Sequence, residues 1–594
     1  MTKIAKKYDL VVVGGGLAGM SAAIAAARHG VKTALVQNRS VLGGNASSEI
    51  RVNVNGAGRG GNFCNAIESG IVLETLMANK KVNPQYSYHV WDTIMWEKAN
   101  FQENLDLYLN THMFGVKMDG NKVKEVTCVQ TNTEKEFTFE AELFVDTTGD
   151  ATLADLAGAE YTIGHESRDT YNESLAPEVA DLNTMGSTII FSMKDMGKPM
   201  PFKRPDWAYE FTDEKLGGRN LTEFTHGYWW MELGDAETKT IRDGEFIRNE
   251  LLKHIYGLFD YMKNSGKYPV ENHALDWIGT IPGKRESRRI IGDYVLNQND
   301  IDSARRFDDA IAYGGWTMDD HSVGGLNSKG GDNEGTIWHA VDDVYTIPYR
   351  CTYSKNIENL YVGGRAMSAS HMAMSSSRVM ATLAVVGQAI GTASSFAIKD
   401  GILPREVGQK YIKELQQMLI KDDCYIPGIK VDDKDDLVTN LDCTITASSA
   451  TADGQANFIN GDYARRVGDV QNAWISEEMS ENGEWIEIKF PKNVSVKDMI
   501  FRFDPNFSRT IIPAQGAKHI QRQVPEMPYE LVRDYSIAFT KNGEVVKEID
   551  TEDNFQRVNQ YSFENAVCCD AVKVLVKSTY GDKHAIINDI RIYE

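Results

Sequence analysis

Residues 10–19 read Leu-Val-Val-Val-Gly-Gly-Gly-Leu-Ala-Gly, and this run constrains the fold more than any other part of the chain. An unbroken apolar strand meets a glycine turn and continues into a helix, the pattern of a buried parallel strand entering a βαβ unit. Gly14, Gly16 and Gly19 have the G-x-G-x-x-G spacing of dinucleotide-binding turns. The first glycine permits the tight turn, the second lets backbone approach a pyrophosphate, and the third lets helix and strand pack closely. The phosphates then meet the helix N-terminus at Leu17 and Ala18, where free N–H groups and the dipole favour anions. An alanine-rich helix over residues 17–29 closes at Gly30, a C′ cap, and a second strand covers 31–36. An acidic residue ordinarily meets the ribose hydroxyls at that strand's end. Here the end carries Gln37, 21 residues beyond Gly16, and then Asn38. An amide can also hydrogen-bond a ribose.

At 594 residues the chain exceeds one ordinary core, so two to four domains are expected. Its 42% hydrophobic and 25% charged content is that of a globular protein. A net charge of −21 argues against nucleic acid, whose phosphates would be repelled. No stretch reads as long and apolar enough to span a bilayer, and the N-terminus has no signal-peptide core, so a cytoplasmic protein is expected. The seven cysteines are odd in number and form no C-x-x-C, which fits reduced thiols. They supply no zinc or iron–sulfur ligand set, so no metal site is expected.

Beyond the first βαβ unit, residues 40–51 (Ser-Val-Leu-Gly-Gly-Asn-Ala-Ser-Ser-Glu-Ile-Arg) read as a loop wrapping a cofactor, and 56–62 as a second glycine-rich loop. Helical patterns cover 66–78 and 88–100. Alternating strands cover 105–118, 122–131 and 136–145, with a turn at Asp119-Gly120-Asn121. Residues 143–151 repeat the apolar-strand-then-glycine pattern. Residues 161–344 are rich in tryptophan, tyrosine and histidine and read as an inserted substrate domain. Residues 359–365 return as a buried strand ending in Gly363-Gly364-Arg365, followed by an apolar helix over 377–398 with small residues at Ala381, Ala384, Gly387 and Gly391. The domains expected are therefore 1–160, the insertion 161–344, a return segment 345–420, an acidic linker 421–437 and a β-sandwich 438–594, the last signalled by alternating strands and the hairpin turn at Lys541-Asn542-Gly543-Glu544.

These motifs together resemble the FAD-dependent oxidoreductases of the glutathione-reductase-like class, and more narrowly a bacterial family of them, over about residues 5–405. The likeness rests on residues 41–51, on Asp146-Thr147-Thr148-Gly149-Asp150, and on residues 359–365 followed by Ser370-His371 and Ser377-Arg378-Val379-Met380. It implies an α/β fold: a Rossmann-like FAD-binding domain (GR2-type) with an inserted α+β substrate domain. Gly14, Gly16 and Gly19 would then hold the FAD pyrophosphate, with Leu17 and Ala18 beside it, and Gln37 and Asn38 the adenosine ribose. Gly43, Gly44, Asn45 and Ser47 would line the phosphates and flavin, and Gly149, Asp150, Gly364 and Arg365 would pack near it. Arg378 and Val379, at the start of the helix, would aim its N-terminus at the pyrimidine edge, where it stabilises a reduced, anionic flavin. The C-terminal segment resembles discoidin-type (F5/8 type C) domains at residues 445–449, 473–476, 485–488, 535–537 and 590–593, giving a jelly-roll β-sandwich. A packing role is favoured for it over glycan binding, with Trp474 in its core.

A flavin carries the hydride or electron transfer, and the protein adds orientation and a proton handler. His371 is the first candidate for that proton, in the loop before the helix at Ser377. Arg51 and Arg378 would clamp an anionic substrate or stabilise a developing oxyanion. The insertion offers Arg285, Arg288, Arg289, His321, His339, Tyr349 and Arg350, and Trp229, Trp230 and Trp316 read mainly as core. The expected reaction is hydride transfer between flavin N5 and a small polar substrate such as a sugar, polyol or hydroxy acid, with an electron acceptor the residues do not identify. A fumarate-reductase-like reduction of an activated C=C bond is the second reading. A non-catalytic glycan-binding protein with a vestigial FAD fold is the third. A homo-oligomer is compatible with this organisation.

Overall fold

The apolar run at residues 10–13 is a strand with all four side chains buried, as a parallel sheet covered on both faces requires. The computed structural model describes residues 1–58, 63–328, 336–514 and 516–594. Residues 59–62 of the second glycine-rich loop lie outside that set. Eight elements position the site: β1 (Leu10–Val13), α1 (Leu17–Arg28), β2 (Thr33–Val36), β3 (Leu105–Tyr108), β4 (Leu143–Asp146), β5 (Leu360–Val362), α2 (His371–Ser377) and α3 (Met380–Asp400). The strands form one parallel sheet in the order β5-β4-β1-β2-β3. Gly30 follows α1 at φ +81°, the left-handed cap expected of it.

The expected small sheet exists, with its boundaries shifted. Residues 105–118 divide between β3 and the strand Thr111–Asp119, and 136–145 between Lys135–Glu140 and β4. The small sheet gains a strand the composition hid: Thr2–Lys7 pairs in parallel with Lys135–Glu140. It is charged and mostly exposed, so it carries no apolar signal. The apolar helix expected over 377–398 is α3, and a second helix, α2, precedes it across Arg378 and Val379, so His371 is the first residue of α2 rather than part of a loop. Ser370 caps α2, its Oγ accepting from the Ala373 N–H at 3.1 Å. Contrary to the expectation from sequence, α3 is long and apolar enough to cross a membrane, but 83% of its apolar window is buried within the protein. Its glycines show why: a Cβ on Gly387 would lie 2.0 Å from the Ala18 carbonyl oxygen, and one on Gly391 2.1 Å from that of Ala22. Backbone contact with α1 is possible only because no side chain intervenes.

The inserted region has its own apolar cluster. The 21-residue helix Gly244–Asn264 places Ile247, Leu251, Ile255 and Leu258 against Phe191 and Trp230. Short antiparallel pairs surround it, among them Met318–His321 with Thr336–His339. Tyr345–Pro348 pairs back with Ala310–Gly314, so the chain rejoins the parallel sheet only at β5.

The chain divides into two compact units, and the second comprises Ala57–Gln85, Lys413–Ile512 and Arg522–Glu594. It is an antiparallel β-sandwich built from one seven-stranded sheet, with Glu484–Phe503 and Val558–Thr579 as its long central strands. Ladder irregularities between Lys489 and Val494 and between Val496 and Asp498 bend these strands over a common core. Trp474 is fully buried there, its Nε1 donating to the Ser449 carbonyl at 2.9 Å. Asn542 and Gly543, at φ 53° and 84°, make the expected hairpin turn. The helix Ile71–Val82, expected with the nucleotide fold, instead puts Leu73 and Met77 into the sandwich core.

Residues 421–437 are not a bare acidic linker. Asp423 pairs with Arg557 at 3.0 Å, and Asp436 pairs with Arg591 at 3.1 Å while accepting from the Ile592 N–H at 3.0 Å. Cys424 and Ile426 are buried. The acids read as solvated in sequence because their arginines lie more than a hundred residues away. Asp436→Ala uncaps the helix Leu437–Asn440, leaves the buried Ile592 N–H without its acceptor, and leaves Arg591 with Asp589 alone. It should cost about 1–3 kcal/mol, as a lost cap and an unmet buried donor do. Denaturant unfolding of the full chain checks this.

Candidate functional site

The glycines of the first turn do two different jobs. A Cβ on Gly14 would fall 2.3 Å from the Thr147 backbone, and one on Gly19 would fall 1.9 Å from the Gly14 carbonyl oxygen, so both are packing positions. Thr147 Oγ1 locks the contact by donating to that carbonyl at 2.7 Å. A Cβ on Gly16 would meet nothing within 4 Å. Gly16 opens instead onto a cavity of about 460 Å³.

Three groups of residues line the cavity. One is the glycine wall: Gly14, Gly16, Leu17, Ala18, Gly43, Gly44 and Asn45, with Gly149, Asp150, Gly364 and Arg365. Gly43 bridges to Gly16, so the two loops are tied together. No side chain caps α1, whose N-cap is Gly16. A second group comprises Gln37, Asn38 and Arg39 with Thr111, His112 and Met113. Gln37 is buried, its Oε1 accepting from the Gly15 N–H at 2.9 Å and its Nε2 donating to the Val41 carbonyl at 3.0 Å. The amide that was expected to face a ribose thus first braces the glycine turn against the following loop. The third group is Thr188, Trp229, Lys284, Arg285, Trp316, Asp319, Arg378, Val379 and Met380.

Every strongly placed charge on this wall has a partner. Asp150 lies between Arg365 at 3.0 Å and Lys284 at 2.5 Å. Burial pushes its carboxyl up, but Arg365 and Lys284 outweigh that and hold it below the usual carboxylate range. Arg378 pairs with Asp319 at 3.3 Å and Arg285 with Glu232 at 2.7 Å. His321 joins the two pairs, with Nδ1 2.9 Å from Glu232 and Nε2 3.3 Å from Asp319. Burial works against ionisation of Asp319, yet the nearby His321 ring and Arg378 bring it down to about 2. Among the described residues, four buried polar atoms of the lining, Asn55 Oδ1, Asp319 Oδ1, Arg378 Nε and Arg365 Nε, have no hydrogen-bond partner. Unmet polar atoms on a cavity wall are what bound groups satisfy.

Four of the residues expected at the site do not line the cavity. Gly19 packs, as above. Ser47 Oγ donates to the Gly44 carbonyl at 2.7 Å and closes its own turn. Arg51 lies over the Trp277 ring at 3.9 Å, and burial lowers its pKa. His371 is buried, with Nδ1 3.1 Å from Glu286 and Nε2 3.0 Å from Asp320. Burial pulls its imidazole down, but the two carboxylates overcome this and raise it to about 10. With both ring nitrogens engaged by acids, it has none left for a substrate. Of the other candidates in the insertion, Arg288 pairs with Asp155, Arg289 with Glu286 and Glu166, and Arg350 with Asp309. Tyr349 hydrogen-bonds Tyr361 and the Pro404 carbonyl, and His339 is paired in the hairpin.

Sequence reasoning missed Asp319, Glu232 and Lys284. The run Met318-Asp319-Asp320-His321 held the signal: two acids and a histidine in succession, which a strand deals to alternate faces. Its strand character was the hidden part, because its partner Thr336–His339 is distant.

The Asp150 arrangement fixes a pH dependence. Its pKa is lower folded than unfolded, so its contribution to stability is complete above about pH 5 and is lost as pH falls through the carboxylate range. Asp150→Asn should lower the thermal midpoint at neutral pH and make it less sensitive to acidification. A midpoint series from neutral pH downward measures both effects.

Two comparisons bear on this chain. Solved structures similar to part of it include a family 32 carbohydrate-binding module of C. perfringens NanJ in complex with galactose, at 16% identity. That match covers 26% of this chain and 93% of that one, with a TM-score of 0.19. The family 32 module of Streptococcus pneumoniae EndoD matches at 13% identity, covering 27% and 99%, with a TM-score of 0.20. The model of the FAD dependent oxidoreductase family matches residues 9–419, and the chain belongs to that family.

Proposed function

We propose that this FAD-dependent oxidoreductase oxidises a neutral polyhydroxylated substrate, a sugar or polyol, at the wall formed by Trp229, Trp316, Asp319 and Arg378. The observation that carries this reading is charge matching. Arg285 and Arg378 are each paired with a carboxylate, as is Lys284. Binding a hydroxy acid would favour an unmatched arginine for its carboxylate. A neutral substrate needs mixed donors and acceptors instead. Arg378 Nε and Asp319 Oδ1 offer one of each, and the two tryptophans offer apolar faces for the C–H side of a sugar ring.

Bound FAD supplies a two-electron acceptor for the hydride that leaves the alcohol carbon. The chain's part is to hold the reactants and take the hydroxyl proton. The glycine wall fits the cofactor: Gly16 leaves the space a pyrophosphate needs, and the uncapped N-terminus of α1 favours its charge. Val379 and Met380, at the N-terminus of α3, line the same cavity and add a second positive end. Asp319 orients the hydroxyl. His321, with its ring nitrogens on Glu232 and Asp319, positions Asp319, and the Asp319 carboxylate on the cavity wall receives the proton as the alcohol becomes a carbonyl. His371 has no part in this step.

Gly16→Val puts a branched side chain into the open space and should leave a folded but colourless protein, read from the flavin absorbance of the purified chain. Asp319→Asn should retain FAD and slow substrate-dependent flavin reduction by about 10²–10⁴-fold, as loss of a general base does. Anaerobic bleaching against sugars, polyols and hydroxy acids tests the substrate class. Bleaching by hydroxy acids alone would replace the neutral substrate with an anionic one.

A further inference from the structure

The strand Met318–His321 presents two acids to opposite sides, and only Asp319 belongs to the cavity. Asp320 reaches His371 Nε2 at 3.0 Å. A third residue, His165, lies against this pair. The His165 and His371 ring centroids are 3.7 Å apart, with the planes at 40°. One ligand atom from each of His165, Asp320 and His371 lies within 4.8 Å of the others. None of the three takes part in the proposed oxidation.

Two imidazoles this close are an awkward arrangement for structure alone, since neither ring stacks flat on the other. The outer nitrogens explain the geometry. His165 Nδ1 is 2.8 Å from Asp181, and His371 Nδ1 is 3.1 Å from Glu286. Each ring is oriented by a carboxylate on Nδ1; His371 Nε2 faces Asp320, and Nε2 is the nitrogen His165 has left for a ligand. A carboxylate behind the imidazole is how metal-ligating histidines are ordinarily fixed in tautomer and direction. Glu286 is itself held by Arg289 and by the Met185 N–H at 2.9 Å, so the support reaches a second layer.

We propose that His165, Asp320 and His371 form a binding site for one divalent first-row metal ion, with Asp181 and Glu286 as the acids that orient the two imidazoles. Two nitrogens and one carboxylate oxygen suit zinc and its neighbours, and the hard-cation pattern of all-oxygen ligands is not met. Water completes the coordination. His165 and Asp320 are only partly buried, which gives the ion a way in. Binding displaces the proton that His371 Nε2 shares with Asp320, keeps the Nδ1–H bonds to Asp181 and Glu286, and changes no oxidation state. The ion ties three distant pieces of chain: the segment at residue 165, the strand Met318–His321 and the first turn of α2. Because Asp319 adjoins Asp320, the ion also fixes the strand that carries the cavity's acid. The site is structural, and it stands whether or not the substrate is a sugar.

The test uses the FAD-loaded full chain, stripped with a chelator, dialysed against Zn²⁺ and analysed for zinc by mass spectrometry and calorimetric titration. The expected result is one Zn²⁺ per chain, with a rise in thermal midpoint. His165→Gln and Asp320→Asn should each lose the stoichiometric ion while retaining flavin absorbance. Asp181→Asn should weaken Zn²⁺ by about 10–100-fold, the usual cost of removing a supporting carboxylate. The exposed His89→Gln should bind as wild type does. A wild-type chain that takes up no zinc overturns the proposal without reference to any variant. So does a His165→Gln, Asp320→Asn double variant that binds zinc as tightly as wild type.

Discussion

A Cβ on Gly19 would lie 1.9 Å from one backbone carbonyl, and a Cβ on Gly387 would lie 2.0 Å from another. These two absences let α1 touch the sheet on one side and α3 on the other at backbone distance. Everything at the cavity depends on that double contact. It brings the N-terminus of α1 and that of α3 to the same space, and it lets Thr147 reach across to the Gly14 carbonyl. Closeness of this kind gains dispersion contacts over the whole length of the two helices, and one added methyl group would forfeit many of them at once.

The second organising constraint is electrostatic. A chain with 84 acidic and 63 basic residues buries a notable share of both. It does so in linked groups: Glu232, His321 and Asp319 with two arginines, Glu286 and Glu166 with Arg289, and Asp589 with Arg502 and Arg591. A single buried charge would be prohibitive, while a matched cluster is tolerated when its remaining hydrogen bonds are also met. Such clusters contribute little net stability. Their value is that each member can take only one orientation, which is what a binding wall requires.

Local chemistry made much of this legible in the sequence. The strand–glycine–helix run, the Asp146-to-Asp150 turn, the Gly363-Gly364 return and the Asn542-Gly543 hairpin each rest on neighbouring residues, and each is found where it was read. Fifteen of the residues expected at the cofactor or substrate line the cavity, including Asn38, Asn45, Arg365 and Val379. What escaped was whatever depends on distant partners. The acids at 423 and 436 look solvated until Arg557 and Arg591 are brought to them. The helix Ile71–Val82 reads the same whichever core it serves. His371 was placed correctly near the glycine return but given the wrong neighbours, because Glu286 and Asp320 come from the insertion.

The strand Met318–His321 has a consequence of another kind. Its period of two sends Asp319 and His321 to one side and Met318 and Asp320 to the other. A substitution at Asp319 therefore changes the cavity wall, and one at His321 the support behind it, while the buried group on the far side is untouched, and the reverse holds for Asp320. A deletion of one residue ahead of it would be a different event. Both faces would exchange at once, and the acid of the cavity wall would turn toward His371. The strand is thus permissive to replacement and intolerant of a change in length.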